Sequence, residues 1–201
     1  MNISSENRYL NVAAVILSGG QGERMQGQDK GLVSYRGRPM IEWSLQTVAP
    51  LVGEVLISCN RNRAAYGQFS MPLVADCIEG FVGPLGGIHA AMHKVEGRYE
   101  HLLVLPCDTP HISSEVLRLL LSASAKEPGK IIFLSAGGRP QFLHAIIPVS
   151  LKQALADWLA EGQRAVYRWY KTCEVVQIDA EEYADSLLNV NRLSQIESQL
   201  P

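Results

Sequence analysis

A glycine-rich segment with two cationic side chains is the part of the sequence best suited to chemistry. It runs from Ser18 to Gly31, reads SGGQGERMQGQDKG, and holds five of the 17 glycines of the chain. Clustered glycines allow backbone N–H groups to approach and cradle a phosphate. Arg24 and Lys30 add positive charge that backbone amides alone do not supply to a polyphosphate. The segment directly follows an apolar run, which favours a phosphate site; the alternative is a surface loop with solvated charges.

Two common phosphate-binding patterns do not fit this segment. In the Walker A pattern, Gly22 and Gly27 have the correct separation, but Gln28 and Asp29 stand where Lys and Ser or Thr are required. In the dinucleotide-binding pattern, Met25 occupies the third glycine position. The segment therefore predicts a phosphate site of another type.

Two aspartates follow other apolar runs. Asp108 comes after HLLVL, within PCDTP, and Asp76 comes after LVA. A carboxylate at the end of a strand can hold Mg²⁺, which prefers oxygen ligands and shares them with substrate phosphates. Asp108 could instead cap the next helix or form a turn, and Asp76 on its own is typical of a turn. The residues alone leave these alternatives open.

The composition is that of an ordinary globular protein. The 201 residues are 47% hydrophobic and 19% charged, which excludes disordered, collagen-like and coiled-coil proteins. A net charge of −2 without basic clusters argues against a nucleic-acid partner. The longest apolar runs are far below the ~20 residues that span a bilayer, and the N-terminus lacks the order of a signal peptide. Four cysteines without a CxxC pair predict free thiols, so we expect a soluble cytoplasmic protein without a membrane partner.

Short apolar runs alternate with helical patterns along the chain. This alternation predicts an α/β fold: a three-layer, Rossmann-like, open and mostly parallel sheet with helices on both faces. Ligands of such sheets bind beyond the carboxyl ends of the strands, so we expect the site in the loops after Leu17, Ser58, Ala75 and Leu105. The predicted strands are 12–17, 54–58, 71–75, 101–105, 130–134, 142–147 and 174–178, and the predicted helices are 39–48, 61–66, 85–94, 113–124, 151–160 and 193–200.

The glycine-rich segment also resembles a known signature. LSGGQGERMQGQDKGL, with RGRP shortly after it, is similar to the nucleotidyltransferase pattern L-[AS]-G-G-x-x-x-R-M-x-G-x-D-K-G, in the form found in molybdenum cofactor guanylyltransferases. The triplet Asp29-Lys30-Gly31 favours that family over sugar-nucleotide pyrophosphorylases and cytidylyl relatives. CNR, GPLGG, PCDTP and NVN follow in the order of the family, so the resemblance covers nearly the whole chain.

The resemblance implies a single nucleotidyltransferase domain over residues 1–201, with a nucleotide side at about 11–125 and a pterin side at about 126–201. Its expected reaction is transfer of GMP from GTP to Mo-molybdopterin, which forms molybdopterin guanine dinucleotide and releases pyrophosphate. Transient contact with cofactor-biosynthesis proteins or molybdoenzymes is also implied. The implied catalytic residues are Arg24, Lys30 and Asp108, with Mg²⁺ on Asp108. The implied binding residues are Leu17, Ser18, Gly19, Gly20, Gly22, Lys30, Ser58, Asn60, Asp76, Gly86, Arg164, Asn189 and Asn191.

Three positions depart from the family pattern. Ser58 replaces the first asparagine of N-x-N-R, NVNRLSQ replaces N-V-N-T-P-E-E, and Phe142 replaces the proline of a Q-P-L element. The first departure falls on one expected base contact, and the other two fall on the pterin side. A related transferase that uses CTP or a sugar-phosphate acceptor, and a non-catalytic cofactor-delivery protein, remain the alternatives.

Other candidate groups are weaker. Arg164 is either a ligand for the pterin phosphate or a solvated helix charge. His89 and His93 have a spacing that can hold zinc, but no third ligand is evident. Cys107 stands beside Asp108, whose charge would raise the pKa of the thiol rather than activate it.

Overall fold

The apolar run that precedes the glycine-rich segment forms the central strand of the structure. The structure, a computed structural model, describes residues 8–18, 29–77 and 83–190. Its first strand, β1 (Tyr9–Leu17), pairs with a parallel strand on each side. From Val12 to Leu17 every side chain is at most 9% exposed, because helices cover both faces of the sheet. A continuous apolar run is typical of a strand in this position.

Seven strands form one mixed sheet within the described residues: β1, β4 (Val52–Ser58), β5 (Leu73–Val74), β6 (His101–Pro106), β7 (Ile131–Ala136), β8 (Arg139–Pro148) and β9 (Val175–Asp179). Their order across the sheet is β5-β4-β1-β6-β8-β7-β9. All pairs are parallel except those of β8, which runs antiparallel to both β6 and β7. A separate small hairpin consists of β2 (Ser34–Tyr35) and β3 (Arg38–Pro39).

Helices cover the two faces of the sheet and enclose two apolar cores. The helices of the described residues are α1 (Met40–Val48), α2 (Arg63–Gly67), α3 (Pro84–Val95), α4 (Ser114–Lys126), α5 (Lys152–Ala160) and α6 (Val166–Tyr170). On one face, Ala14 and Ile16 of β1 pack in a cluster with side chains of α1 and α4. On the other face, Ala13 and Val15 share a cluster with side chains of α3, α5 and α6. The predicted three-layer α/β fold is confirmed.

The predicted elements within the described ranges are confirmed, with shifted ends. The third predicted strand is reduced to two residues, and Pro39 lies at the N-cap of α1 rather than in its first turn. The hairpin β2–β3 and helix α6 were not predicted, because short elements carry too little periodicity. The predicted helix at 193–200 lies outside the described residues.

Two further expectations concern thiols and membranes. All four cysteines are free, as expected; Cys59 and Cys107 are buried, whereas Cys77 is exposed. Among residues 8–18, 29–77 and 83–190, no helix is long and apolar enough to cross a bilayer.

Candidate active site

The candidate site lies at one edge of the sheet because four neighbouring parallel strands end there. Leu17 is in register with Ser58 on one side and with Pro106 on the other, and Ser58 is in register with Val74. The residues that follow these strands therefore meet at one edge, as expected for a doubly wound sheet. They include Ser18, Asn60, Asp76 and Asp108, all of which the sequence predicted as site residues.

Lys30 and Asp108 form an ion pair at the centre of this edge. Lys30 belongs to a short 3-10 turn (Lys30–Leu32), and its Nζ donates a hydrogen bond to Asp108 Oδ2. The Nδ2 of Asn189 donates to the same oxygen over 3.2 Å. A backbone hydrogen bond from Val190 N to Asp108 O, 2.8 Å long, brings Asn189 to this place. Three predicted site residues from distant parts of the sequence are thus in contact.

The second carboxylate oxygen of Asp108 is available for a ligand. Oδ1 is buried and has no hydrogen-bond partner among the described residues. A buried acceptor without a partner is costly, so such an atom favours a ligand that supplies a donor or a cation. No group of three His, Cys, Asp or Glu residues that could hold a metal occurs within the described ranges. A magnesium site with one carboxylate is still chemically reasonable, because Mg²⁺ takes its remaining ligands from substrate phosphates and water.

Asn60 and Asp76 form a two-point hydrogen-bonded pair beside the ends of β4 and β5. Asn60 Nδ2 donates to Asp76 Oδ2, and the backbone N of Asp76 donates to Asn60 Oδ1, each over 2.9 Å. Burial raises the pKa of Asp76, and the hydrogen bond from Asn60 opposes that shift. The pair therefore presents a half-buried carboxylate in a fixed orientation to the sheet edge.

Several predicted binding residues are buried beneath this edge. Leu17, Ser18 and Ser58 are at most 9% exposed, and Gly86 is buried in the first turn of α3. Side chains buried to this extent shape the floor of the site. The predictions for Gly19, Gly20, Gly22, Arg24 and Asn191 lie outside the described residues.

A cavity of about 320 Å³ adjoins Asp108 on the side of β8 and α6. Phe142 and Tyr167 form an aromatic part of its wall, with ring centroids 6.5 Å apart. Tyr170 fixes Phe142 from behind, since its hydroxyl donates to Phe142 O over 2.9 Å. The remaining lining residues are Pro106, Gln141, Leu143, His144, Val166 and Asn189.

His144 is a buried polar residue in this wall that sequence reasoning missed. Its Nε2 lies 3.1 Å from the hydroxyl of Thr109, which is itself fully buried. Its Nδ1 is buried and has no partner among the described residues. Burial lowers the pKa of His144 to about 4, although the charge of Asp108 opposes the shift. The imidazole is therefore neutral at pH 7 and can offer Nδ1 to a ligand.

Arg164 does not lie among the residues that line the cavity. Its Nη1 donates to the carbonyl oxygens of Leu159 and Gln163, each over 2.8 Å. Leu159 belongs to the last turn of α5, so the guanidinium adds a side-chain hydrogen bond at that helix end. The proposed pterin-phosphate contact of Arg164 stays a prediction.

The structure also bears on the thiol of Cys107. Burial and, to a smaller extent, the neighbouring charge of Asp108 raise its pKa to about 12. A thiol of this kind stays protonated at pH 7 and is a poor nucleophile. The site thus offers one cationic side chain, Lys30, and one anionic side chain, Asp108, rather than a nucleophile for covalent catalysis.

Comparison with known proteins agrees with this arrangement. Residues 14–175 match the model of the MobA-like NTP transferase domain. The molybdenum cofactor guanylyltransferase of Shewanella amazonensis is 37% identical over 188 residues, which are 94% of this chain and 95% of that protein. Molybdopterin-guanine dinucleotide biosynthesis protein A from Archaeoglobus fulgidus superposes with a TM-score of 0.76 at 25% identity, over 93% of this chain and 95% of that one.

A more distant structure shares the fold alone. The 4-diphosphocytidyl-2C-methyl-D-erythritol synthase of Anaerococcus prevotii has a TM-score of 0.72 at 13% identity, over 95% of this chain and 94% of that one. The fold by itself therefore does not select the nucleotide. The match to the guanylyltransferase sequences over most of the chain, together with the Lys30–Asp108 ion pair, identifies the family more specifically than the fold does. The chain is a nucleotidyltransferase and belongs to the molybdenum cofactor guanylyltransferase family, whose domain is the MobA-like NTP transferase domain.

Proposed function

We propose that this protein transfers GMP from GTP to Mo-molybdopterin. The carrying observation is the Lys30–Asp108 pair, which lies between the Asn60–Asp76 pair and the cavity beside β8. In the reaction, a phosphate oxygen of the pterin forms a bond to the α-phosphorus of GTP. The bond from that phosphorus to the α,β-bridging oxygen breaks, and pyrophosphate leaves with the electron pair. No covalent enzyme intermediate is needed, so the task of the protein is alignment and charge neutralisation.

We assign the triphosphate to the segment that follows β1. Lys30 Nζ would bind phosphate oxygens, together with Arg24 and the backbone amides of residues 18–22. Asp76 would accept hydrogen bonds from the N1–H and N2–H groups of guanine, because a carboxylate offers acceptors only. Its orientation is set by the two hydrogen bonds with Asn60.

We assign a divalent cation, Mg²⁺, to Asp108. The buried and unpartnered Oδ1 of this carboxylate supports the assignment. When bound, the ion would neutralise charge on the phosphates and assist the departure of pyrophosphate. The protein itself contributes the position of the carboxylate, which Asn189 and Lys30 hold through the other oxygen.

We assign the acceptor to the cavity beside β8 and α6. Asp108 and Asn189 lie in its wall, so the phosphate of the acceptor would occupy this end. The pterin ring would lie against Phe142 and Tyr167, because aromatic faces bind flat heterocycles by stacking. Nδ1 of His144 would hydrogen-bond an edge of that ring. The division of the chain into a nucleotide side and a pterin side at about residue 125 belongs to the same proposal.

The proposal is tested by measuring pyrophosphate release with each of the four nucleoside triphosphates, Mg²⁺ and Mo-molybdopterin. We expect release with GTP and a dinucleotide product that contains guanine. Stronger turnover with CTP would favour the cytidylyl alternative. GTP binding without any pyrophosphate release would favour a delivery protein, and either result would overturn the proposed function.

The metal assignment predicts the behaviour of Asp108→Asn. This change keeps the size of the side chain but removes the negative charge that a cation requires. We expect the Mg²⁺-dependent rate to fall by about 10²- to 10³-fold, in the range seen for single electrostatic groups. Asp157, an exposed residue of α5, supplies the control: Asp157→Asn should keep the full rate. Full activity of Asp108→Asn would show that this residue does not hold the metal.

A further inference from the structure

The hydroxyl of Tyr66 lies between the two ends of the glycine-rich segment. Ser18 is the last described residue before residues 19–28, and Asp29 is the first after them. Tyr66 Oη donates a hydrogen bond to Asp29 Oδ1 over 2.5 Å and lies 3.5 Å from Ser18 O. The side chain of Tyr66 is fully buried. Burial, and then the bond to Asp29, raises the pKa of Tyr66, so its hydroxyl remains a donor at neutral pH.

A second donor holds the other oxygen of the same carboxylate. Asn62, directly before α2, has a left-handed backbone conformation with φ of 51°. Its Nδ2 donates to Asp29 Oδ2 over 3.3 Å. Asparagine tolerates this conformation better than most residues. Both carboxylate oxygens of Asp29 thus accept hydrogen bonds, one from Tyr66 in α2 and one from Asn62 at its N-cap. This leaves Asp29 poorly suited to be a metal ligand.

Tyr66 also packs against the residue on the other side of Lys30. A Cβ atom at Gly31 would lie 2.6 Å from Tyr66 Oη, which is closer than real contacts allow. Residue 31 must therefore be glycine for the hydroxyl to reach Asp29. Lys30 consequently sits between a residue that is hydrogen-bonded to α2 and a residue that is packed against it.

We propose that Asp29, held by Tyr66 and Asn62, is a positioning residue that fixes Lys30 for the triphosphate of the nucleotide. A lysine side chain is long and flexible, so its ammonium group is placed accurately only if its backbone is fixed. The hydrogen bonds of Asp29 to Tyr66 and Asn62, which we call the Asp29 anchor, fix this backbone. Lys30 Nζ then reaches Asp108 across the sheet edge. The inference rests on the proposed function, because it assigns the phosphates of GTP to Lys30.

The experiment compares Tyr66→Phe in two backgrounds, with GTP affinity measured by calorimetry on the full-length protein. In the wild-type background we expect the Kd for GTP to rise by about 5- to 10-fold, since Lys30 is no longer held in place. In the Lys30→Ala background the same change should leave the Kd unaltered. Tyr9→Phe supplies the control, because Tyr9 loses a hydrogen bond to Ser122 far from the site; its Kd should stay that of the wild type.

Equal losses in both backgrounds would overturn the inference, because they would show a general structural role. If Tyr66→Phe does not fold, Asp29→Asn and Asp29→Ala replace it. Asparagine keeps an acceptor for Tyr66 and should recover part of the affinity that alanine loses, whereas equal losses would again contradict the anchor. Failure of the wild type to form a guanine dinucleotide would instead overturn the proposed function, so the two failures are distinguishable.

Discussion

At the scale of single residues, the Asn60–Asp76 pair is suited to reading a base. Asn60 uses both ends of its amide on Asp76, one on the backbone and one on the carboxylate. Asp76 is therefore fixed in position while keeping an acceptor for a ligand. Guanine presents two donors on its Watson–Crick edge, whereas adenine presents a donor and an acceptor. A carboxylate matches the first pattern and repels part of the second.

Asp76→Asn should weaken the preference for guanine. An amide supplies one acceptor where the carboxylate supplies several, and its NH₂ group opposes the donors of guanine. We expect KM for GTP to rise about 10-fold, which corresponds to about 1.4 kcal/mol, with a smaller change in kcat. Steady-state kinetics with GTP and ATP will measure this. An unchanged ratio of kcat/KM for the two nucleotides would show that Asp76 does not contact the base.

The residues of the site differ in how well sequence can predict them. Lys30 and Asp108 each follow a recognisable signal, a glycine-rich segment or the end of an apolar strand, and the structure brings them into contact. Tyr66 and His144 carry no such signal. A buried tyrosine or histidine looks like any core residue until a partner far away in the sequence is known, and Asp29 is 37 residues from Tyr66.

At the scale of elements, the hairpin between β7 and β8 determines which strand borders the cavity beside Asp108. Ala136 pairs with Arg139, so the loop consists of Gly137 and Gly138 only. Both have positive φ, 60° and 66°, the combination that a type I′ turn requires. This turn reverses the chain, and β8 enters the sheet antiparallel between β6 and β7. A parallel sheet throughout would have needed a helical crossover here.

Gly138→Ala should destabilise this hairpin through backbone strain alone. A Cβ atom there would meet nothing within 4 Å, so only the left-handed conformation opposes the change. We expect a loss of about 1 kcal/mol in the free energy of unfolding. Gly129→Ala is the matched control, because its Cβ would also meet nothing and its φ is not positive. Urea denaturation of both variants will test this, and equal stabilities would contradict it.

Prediction of the elements succeeded where periodicity was strong. The apolar runs of β1, β4 and β6 and the amphipathic patterns of α3 and α4 are long enough to identify their type. The direction of β8 was not predicted beyond a mostly parallel sheet. The two glycines that reverse the chain give a turn signal, but the pairing partner of the next strand depends on packing across the whole sheet.

At the scale of the whole molecule, one neutral histidine lies buried against the active-site edge. His144 is 2% exposed, and its Nε2 forms a hydrogen bond with the hydroxyl of Thr109. Its pKa in the folded protein is about 4, below the ordinary value of 6.5. As the pH falls below 6.5, the unfolded chain therefore takes up a proton before the folded one does. The contribution of the neutral His144 to the free energy of unfolding is therefore fully present above pH 6.5 and decreases as the pH falls toward 4.

His144→Gln should flatten the dependence of stability on pH. Between pH 7 and pH 5 we expect the wild type to lose on the order of 2 kcal/mol more than the variant, since glutamine does not titrate. Glutamine keeps a polar atom for Thr109. Denaturation at both pH values, with the exposed His93→Gln as the control, will measure the difference. The same loss in wild type and His144→Gln would show that another group governs acid stability.

The reversed direction of β8 also has an evolutionary consequence. Strands β1, β4 and β5 end at the part of the sheet edge that we assign to the nucleotide, whereas the cavity wall combines the end of β6 with the start of β8 and the helix α6. The wall residues Gln141 and Phe142 therefore follow closely on a two-residue turn, at a place where substitutions leave the parallel half of the sheet untouched. Under the proposed assignment of the acceptor to this cavity, a lineage could exchange the acceptor and keep its nucleotide chemistry, which makes the beginning of β8 the starting point for engineering a new acceptor.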